Sequence, residues 1–315
     1  MFTQRAPILI RMGHDHAHGA GVQHRGRLAL VLALSLTVLV VEAVVAAMTG
    51  SLALLADAGH VLGDSFGLVM ALAAITVAQR GGAAGSRRSF GYQRTEILAA
   101  GLNGLVLLGL AVWIAVSAVS RFGDAPELDG GLVLAAGAVG LVVNVIGLVL
   151  LRAGAQESLN VRGAYLEVLG DALGSVAVLA SAAVILTLRW YPADAVASLV
   201  IAAMIVPRAV SLLKDVVEVL LESTPDHVDL DELRAHIVGT AGVKDVHDLH
   251  VWTITSGMPI MSAHVVVDDG VTGMDEAHAV LDRLRGCLAE HFDVEHSTFQ
   301  IEPAGHLDSE HHVHH

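Results

Sequence analysis

His60 and Asp64 lie one helical turn apart in the stretch ADAGHVLGDSFG, and Glu167 and Asp171 repeat that i, i+4 spacing in YLEVLGDALGS. At 3.6 residues per turn, each pair projects from one face of its helix. Two helices that each offer a pair of ligands can close a four-ligand site. One imidazole and three carboxylates bind a divalent cation, and four ligands suit the tetrahedral preference of zinc. Asp57 shares the face of His60 and Asp64. It reads equally as a member of that polar face or as a cap near the start of its helix.

The elements that carry these pairs are apolar. Of the 315 residues, 54% are hydrophobic and only 16% are charged, and mean hydropathy is +0.63. Soluble domains carry about 25% charged residues, so this composition excludes an ordinary soluble enzyme and a disordered chain. A single cysteine, Cys287, excludes a disulfide scaffold and reads as a small buried hydrophobe. Six apolar stretches, near Leu28–Met48, Leu52–Ala78, Ile97–Ser120, Leu132–Leu151, Ala164–Leu188 and Ala195–Leu213, are each long enough to span a bilayer as a helix. They lack the alternation of a membrane barrel. No apolar run with a small-residue cleavage site precedes the first stretch, so no secretory leader is expected. An ionised group at mid-membrane costs about 2.5–3.5 kcal/mol on insertion scales, so His60, Asp64, Glu167 and Asp171 mark function. Glu42 and Asn144 read as helix–helix polar contacts.

Arginines precede the first stretch and fill the connections between stretches 2 and 3 and between 4 and 5; the opposite loops are mainly acidic. By the positive-inside rule both termini are cytoplasmic. Residues 214–315 carry 5 basic and 20 acidic groups, which argues against nucleic acid as a partner. Within them, DLDELRAHIVG and DEAHAVLDRLRGCLAE have helical spacing, while VHDLHVWTIT, IMSAHVVVD and STFQIE are β-rich. The expected fold is an all-α bundle of six transmembrane helices plus a small cytoplasmic α/β domain of order αββαβ with its helices on one face of the sheet. The domain boundaries follow: residues 1–27 a His-rich tail, 28–213 the transmembrane domain, 214–305 the cytoplasmic domain and 306–315 a second His-rich tail. Both tails have the composition of loose metal capture.

These strings together resemble the cation diffusion facilitator family of zinc-type metal efflux transporters. The resemblance runs from about His14 to Glu302 and is carried by SLALLADAGHVLGDSFGL, SFGYQRTEIL, SLNVRGAYLEVLGDALGS and VHDLHVWTITSG. It implies a homodimer in the cell membrane, surrounded by lipid. It also implies a proton-coupled antiporter with a transport site at His60, Asp64, Glu167 and Asp171, and a metallochaperone-like tail domain. Neither an enzyme activity nor an organic cofactor is implied.

The zinc-selective pattern of that family has histidine where this chain has Glu167. The harder oxygen ligand shifts the preference towards manganese, iron or cobalt, with zinc retained first and cadmium as a further cargo. The loop reading RRSFGYQRTE lacks the Asp–His pair that some members use, so no metal is expected there. In the tail domain the resemblance assigns His247, His264, His296 and Glu302 as ligands of a regulatory metal. His250 falls on the opposite strand face from His247 unless a bulge intervenes, and His278 is a weaker candidate. A membrane metal sensor that moves no ion is the alternative of a different class.

Overall fold

The computed structural model describes residues 16–79, 87–156, 159–292 and 296–306. The histidines at 14, 311, 312, 314 and 315 therefore lie outside the described residues. Six long helices come first: α1 (His16–Thr49), α2 (Leu52–Gln79), α3 (Thr95–Arg121), α4 (Gly130–Leu151), α5 (Leu159–Leu188) and α6 (Pro192–Leu220). Each contains a segment long and apolar enough to cross a membrane. Then follow α7 (Leu230–Val238), β1 (Val243–Thr253), β2 (Pro259–Val267), α8 (Met274–His291) and β3 (His296–Glu302). The order αββαβ of the tail is the one its periodicity predicts.

The chain divides into two compact units. One comprises the residues up to Gly67 together with Leu105–Val210; the other comprises Leu68–Gly104 and the residues from Ser211 onward. The first unit holds α1, α4 and α5 with the adjoining parts of α2, α3 and α6. Its apolar core draws on Leu52, Leu54, Leu107, Ile114, Val178, Ile201 and Ile205. Small residues let these helices approach. Gly137, Gly140, Asn144 and Gly147 line the buried face of α4, which packs on α5 and α1. A methyl at Gly63 of α2 would strike Leu107 of α3. Close approach through small residues is the main source of packing energy where lipid offers no hydrophobic gain.

The start of α2 is anchored by a residue from another helix. Asp194, in the first turn of α6, accepts hydrogen bonds from the backbone N–H of Leu52 at 2.7 Å and from Ser51 Oγ at 2.5 Å. A carboxylate at a helix N-terminus satisfies donors that have no partner within the helix and complements its dipole. Arg121 donates to the Gly50 carbonyl at 2.7 Å beside it. Read by sequence, Asp194 and Arg121 are only loop charges; in the fold they set where α2 begins, eight residues before His60.

In the second unit the strands form one sheet of order β1-β2-β3, with β1 and β2 antiparallel and β2 and β3 parallel. Met261, Ala263, Val265, Phe299 and Ile301 face α7 and α8 and pack against Leu233, Ile237, Val280, Leu284 and Leu288. Cys287, half-buried, lies on α8. The alternate residues, His264 and Glu302 among them, occupy the sheet face away from the helices. Thr255 of the β1–β2 turn donates to Glu96 Oε2 of α3 at 2.7 Å, and Arg94 pairs with Glu222 at 2.8 Å.

Candidate metal centres

In the helical bundle, His60 Nε2 is 3.7 Å from Asp171 Oδ1 and 4.0 Å from Asp64 Oδ2. One ligand atom from each of these three residues lies within 4.8 Å of the others. His60 and Asp171 are buried, 9% and 5% exposed. The i, i+4 spacing of α2 stacks His60 over Asp64, and α5 brings Asp171 across to meet them. An imidazole with two carboxylates in an apolar surround is a ligand set for a small divalent cation.

Glu167 is not in that group. Its carboxylate is turned to Arg208 of α6, whose Nη2 donates to Glu167 Oε1 at 2.6 Å while Nη1 donates to Asp64 Oδ2 at 2.9 Å. The expected four-ligand cluster is thus three ligands plus a carboxylate held by a guanidinium. Arg208 is the residue that sequence reasoning missed, because the span was read for its apolar run and for its flanks. The signal was present: Pro207-Arg208 interrupts the run, and an intramembrane cation is a functional hypothesis by default.

Asp57, in the second turn of α2, lies outside the three-residue group. Its Oδ2 accepts from Ser175 Oγ at 3.4 Å, so it caps no helix of its own.

The tail domain holds a second group. Glu302 lies 3.0 Å from His247 Nε2 through Oε2 and 2.9 Å from His264 Nδ1 through Oε1, and the two imidazole rings stand 5.0 Å apart. His247 and Glu302 are buried, 3% and 2% exposed. Gln300 Nε2 donates to Glu302 Oε1 at 2.7 Å and fixes the carboxylate. Two histidines and a glutamate are a recurrent zinc set, and the three ligand atoms lie within 4.8 Å of one another.

His296 does not join them. It pairs with Ile260, whereas Glu302 pairs with Val266 at the other end of the same two strands. Six residues at about 3.3 Å each separate them by roughly 20 Å. A bulge does intervene in β1: the register slips between His247 and His250, with Asp248 at φ 47°. The extra residue returns His250, opposite Ser262, to the face that His247 shares with His264. His278 is exposed on α8, 3.6 Å from Asp282.

Comparison with known proteins identifies the family of both regions of the chain. Residues 28–221 match the model of the cation efflux transmembrane domain, and residues 225–304 match that of the cation efflux protein cytoplasmic domain. The chain belongs to the cation diffusion facilitator family. It is similar to the metal cation efflux system protein CzcD of Cupriavidus metallidurans, with 42% identity over 93% of this chain and 90% of that protein. A cadmium, cobalt and zinc/H(+)-K(+) antiporter of Bacillus subtilis is 38% identical over 94% of this chain and 93% of its own. The zinc transporter ZitB of Escherichia coli is 35% identical over 92% and 93%. The protein is thus a multi-pass membrane protein of a cation efflux family, and the family is one of transporters, not of enzymes.

Proposed function

We propose that the protein is a proton-coupled antiporter that exports divalent transition-metal ions from the cytoplasm, zinc foremost, and that it works as a homodimer in the cell membrane with both termini cytoplasmic. The observation that carries this reading is the buried meeting of His60 and Asp64 of α2 with Asp171 of α5, far apart in sequence and within 4.8 Å in space. The relatives support the cargo: their names give cadmium, cobalt and zinc and zinc.

The cargo ion enters as substrate onto deprotonated ligands, because metal and protons compete for the same lone pairs. Arg208 sets the order of events. Its guanidinium compensates Asp64 and Glu167. A dication on Asp64 repels that guanidinium at short range, so cargo and Arg208 alternate on Asp64. Release of Glu167 from Arg208 then makes a fourth ligand available. On the far side, protonation of His60 and a carboxylate ejects the ion, and Arg208 re-pairs for the return. Two states of similar energy, each biased by what occupies the site, are what alternating access requires.

In the tail domain, His247, His264 and Glu302 hold a regulatory ion, and the helix-free sheet face that carries them contributes to the dimer. The histidine-rich tails feed metal to the transporter.

Sealed proteoliposomes with an imposed pH gradient test the reading. Zinc, manganese, cobalt and cadmium are offered separately to the wild type and to Asp64→Ala. Gradient-driven zinc movement that disappears in Asp64→Ala is the expected result. If no metal moves while the protein still binds zinc, the protein is a sensor. If metal moves but no protons move the other way, the coupling is wrong.

A further inference from the structure

Glu42 of α1 is fully buried, 0% exposed, and neither of its carboxyl oxygens has a hydrogen-bond partner among the described residues. Asp57 of α2 is buried beside it. Its Oδ2 accepts from Ser175 Oγ of α5, and that hydroxyl accepts from Asn144 Nδ2 of α4, each at 3.4 Å. The donors therefore run one way, from Asn144 to Ser175 to Asp57, and stop. Asp57 Oδ1 and both oxygens of Glu42 are left as acceptors with no donor. Two glycines make room for them. A methyl at Gly140 would meet Glu42 Oε1 at 2.7 Å and Ser175 Oγ at 2.9 Å, and one at Gly174 would strike Asp57 Oδ1.

Two ionised carboxylates cannot share such a pocket without a positive charge between them. Among the described residues no basic side chain supplies it. The ionisable groups acting on Glu42 are Asp57 of α2 and Asp171 of α5, and α4 contributes none, its sequence having no titratable residue. A hard metal cation takes about six or more oxygen ligands; this pocket offers two carboxyls and one hydroxyl pressed against glycine. One proton fits. It converts two acceptors into a donor and an acceptor, where Glu42 Oε1 and the Ser175 hydroxyl that donates to Asp57 both border Gly140.

We propose that Glu42 and Asp57 share one exchangeable proton, at a site separate from the metal ligands, and that metal binding one helical turn away expels it. Asp57 lies three residues before His60 on α2, and Ser175 lies four residues after Asp171 on α5. The pocket is therefore built on the two helices that carry the cargo ligands. A dication arriving on those ligands favours two ionised carboxylates nearby, so the proton leaves as the metal binds. The proposal rests on the transport reading and adds to it a counter-proton that no metal ligand carries.

The test uses the purified full-length protein in detergent. Zinc chloride is added in weakly buffered solution with a pH-indicator dye, and protons released per zinc bound are counted. Glu42→Gln is expected to bind zinc and to release about one proton fewer per ion than the wild type. The infrared band of a protonated carboxylic acid, bleached by zinc in the wild type, is expected to be missing in the variant. Equal proton counts overturn the proposal. If Glu42→Gln fails to fold, Ser175→Ala removes the donor to Asp57 and should move the pH at which the band bleaches; an unmoved band overturns the proposal too. Zinc flux through wild-type proteoliposomes is read separately. Absence of flux sinks the transport reading, while the proton count still decides the shared site.

Discussion

Arg208 holds Glu167 at 2.6 Å and, through its other terminal nitrogen, holds Asp64 at 2.9 Å. A cation of the protein's own thus occupies part of the place proposed for the cargo. Its side chain is about half exposed, so each pair is worth about 1 kcal/mol rather than the larger figure of a dry pair. Arg208→Ala removes the competitor. Zinc affinity, measured by titration calorimetry, should rise roughly tenfold. Turnover in proteoliposomes should nevertheless fall, because the empty site then returns with its carboxylates uncompensated. Weaker zinc binding in this variant would show that Arg208 supports the cargo site rather than competing for it.

Glu167 and Asp171 sit one turn apart on α5 yet have different surroundings. Asp171 is buried with His60 and Asp64, while Glu167 is turned outward to Arg208. Asp171→Ala should abolish zinc transport, as Asp64→Ala does. Glu167→Ala should leave measurable transport and lower it by roughly tenfold, the loss of one late ligand. Glu167→His, which offers a softer ligand, should raise the ratio of zinc to manganese transport. An unchanged ratio would place selectivity elsewhere.

Acid should weaken cargo binding. The ligands bind metal only when deprotonated, so the apparent zinc dissociation constant should rise as pH falls, and zinc binding should acidify an unbuffered solution. Competition with a coloured chelator across a pH series measures this. A dissociation constant independent of pH would remove the basis for proton exchange.

The two i, i+4 pairs were legible because a helix turns every 3.6 residues, and four positions suffice to show a shared face. The six helices were legible by length and hydropathy, and the αββαβ order by its change of period. Arg208 was not. Its partners Asp64 and Glu167 lie 144 and 41 residues away, and no local rule links them. The bulge at Asp248 was equally hidden, since the left-handed turn there falls on an aspartate rather than a glycine. For the same reason the side of the sheet on which His250 lies could not be read from strand alternation alone. His296 was assigned by resemblance, and strand register, a property of pairing rather than of spacing, moved it to the far end of β3.

Packing distinguishes two glycines that look alike in sequence, Gly63 of α2 and Gly170 of α5. A methyl at Gly63 would run into Leu107, whereas one at Gly170 meets nothing within 4 Å. Gly63→Ala should therefore destabilise the bundle by about 1–3 kcal/mol and lower Tm in detergent. Gly170→Ala should be neutral or slightly stabilising, since alanine favours the helix. Equal melting temperatures would mean that α2 and α3 part easily at this point.

Glu302 is the joint of the tail-domain group. It is buried, and both of its oxygens are committed, one to His247 and the other to His264 and Gln300. Glu302→Ala leaves the buried His247 without its carboxylate partner, at a cost of about 1–3 kcal/mol, and removes one of three candidate metal ligands. Zinc should then protect the tail domain less against thermal unfolding in the full-length protein. His296→Ala should leave that protection intact, because His296 lies at the opposite end of β3. The contrast is informative in both directions. If His296→Ala also abolishes protection, zinc is held at a place that includes His296 rather than by the His247–His264–Glu302 group alone.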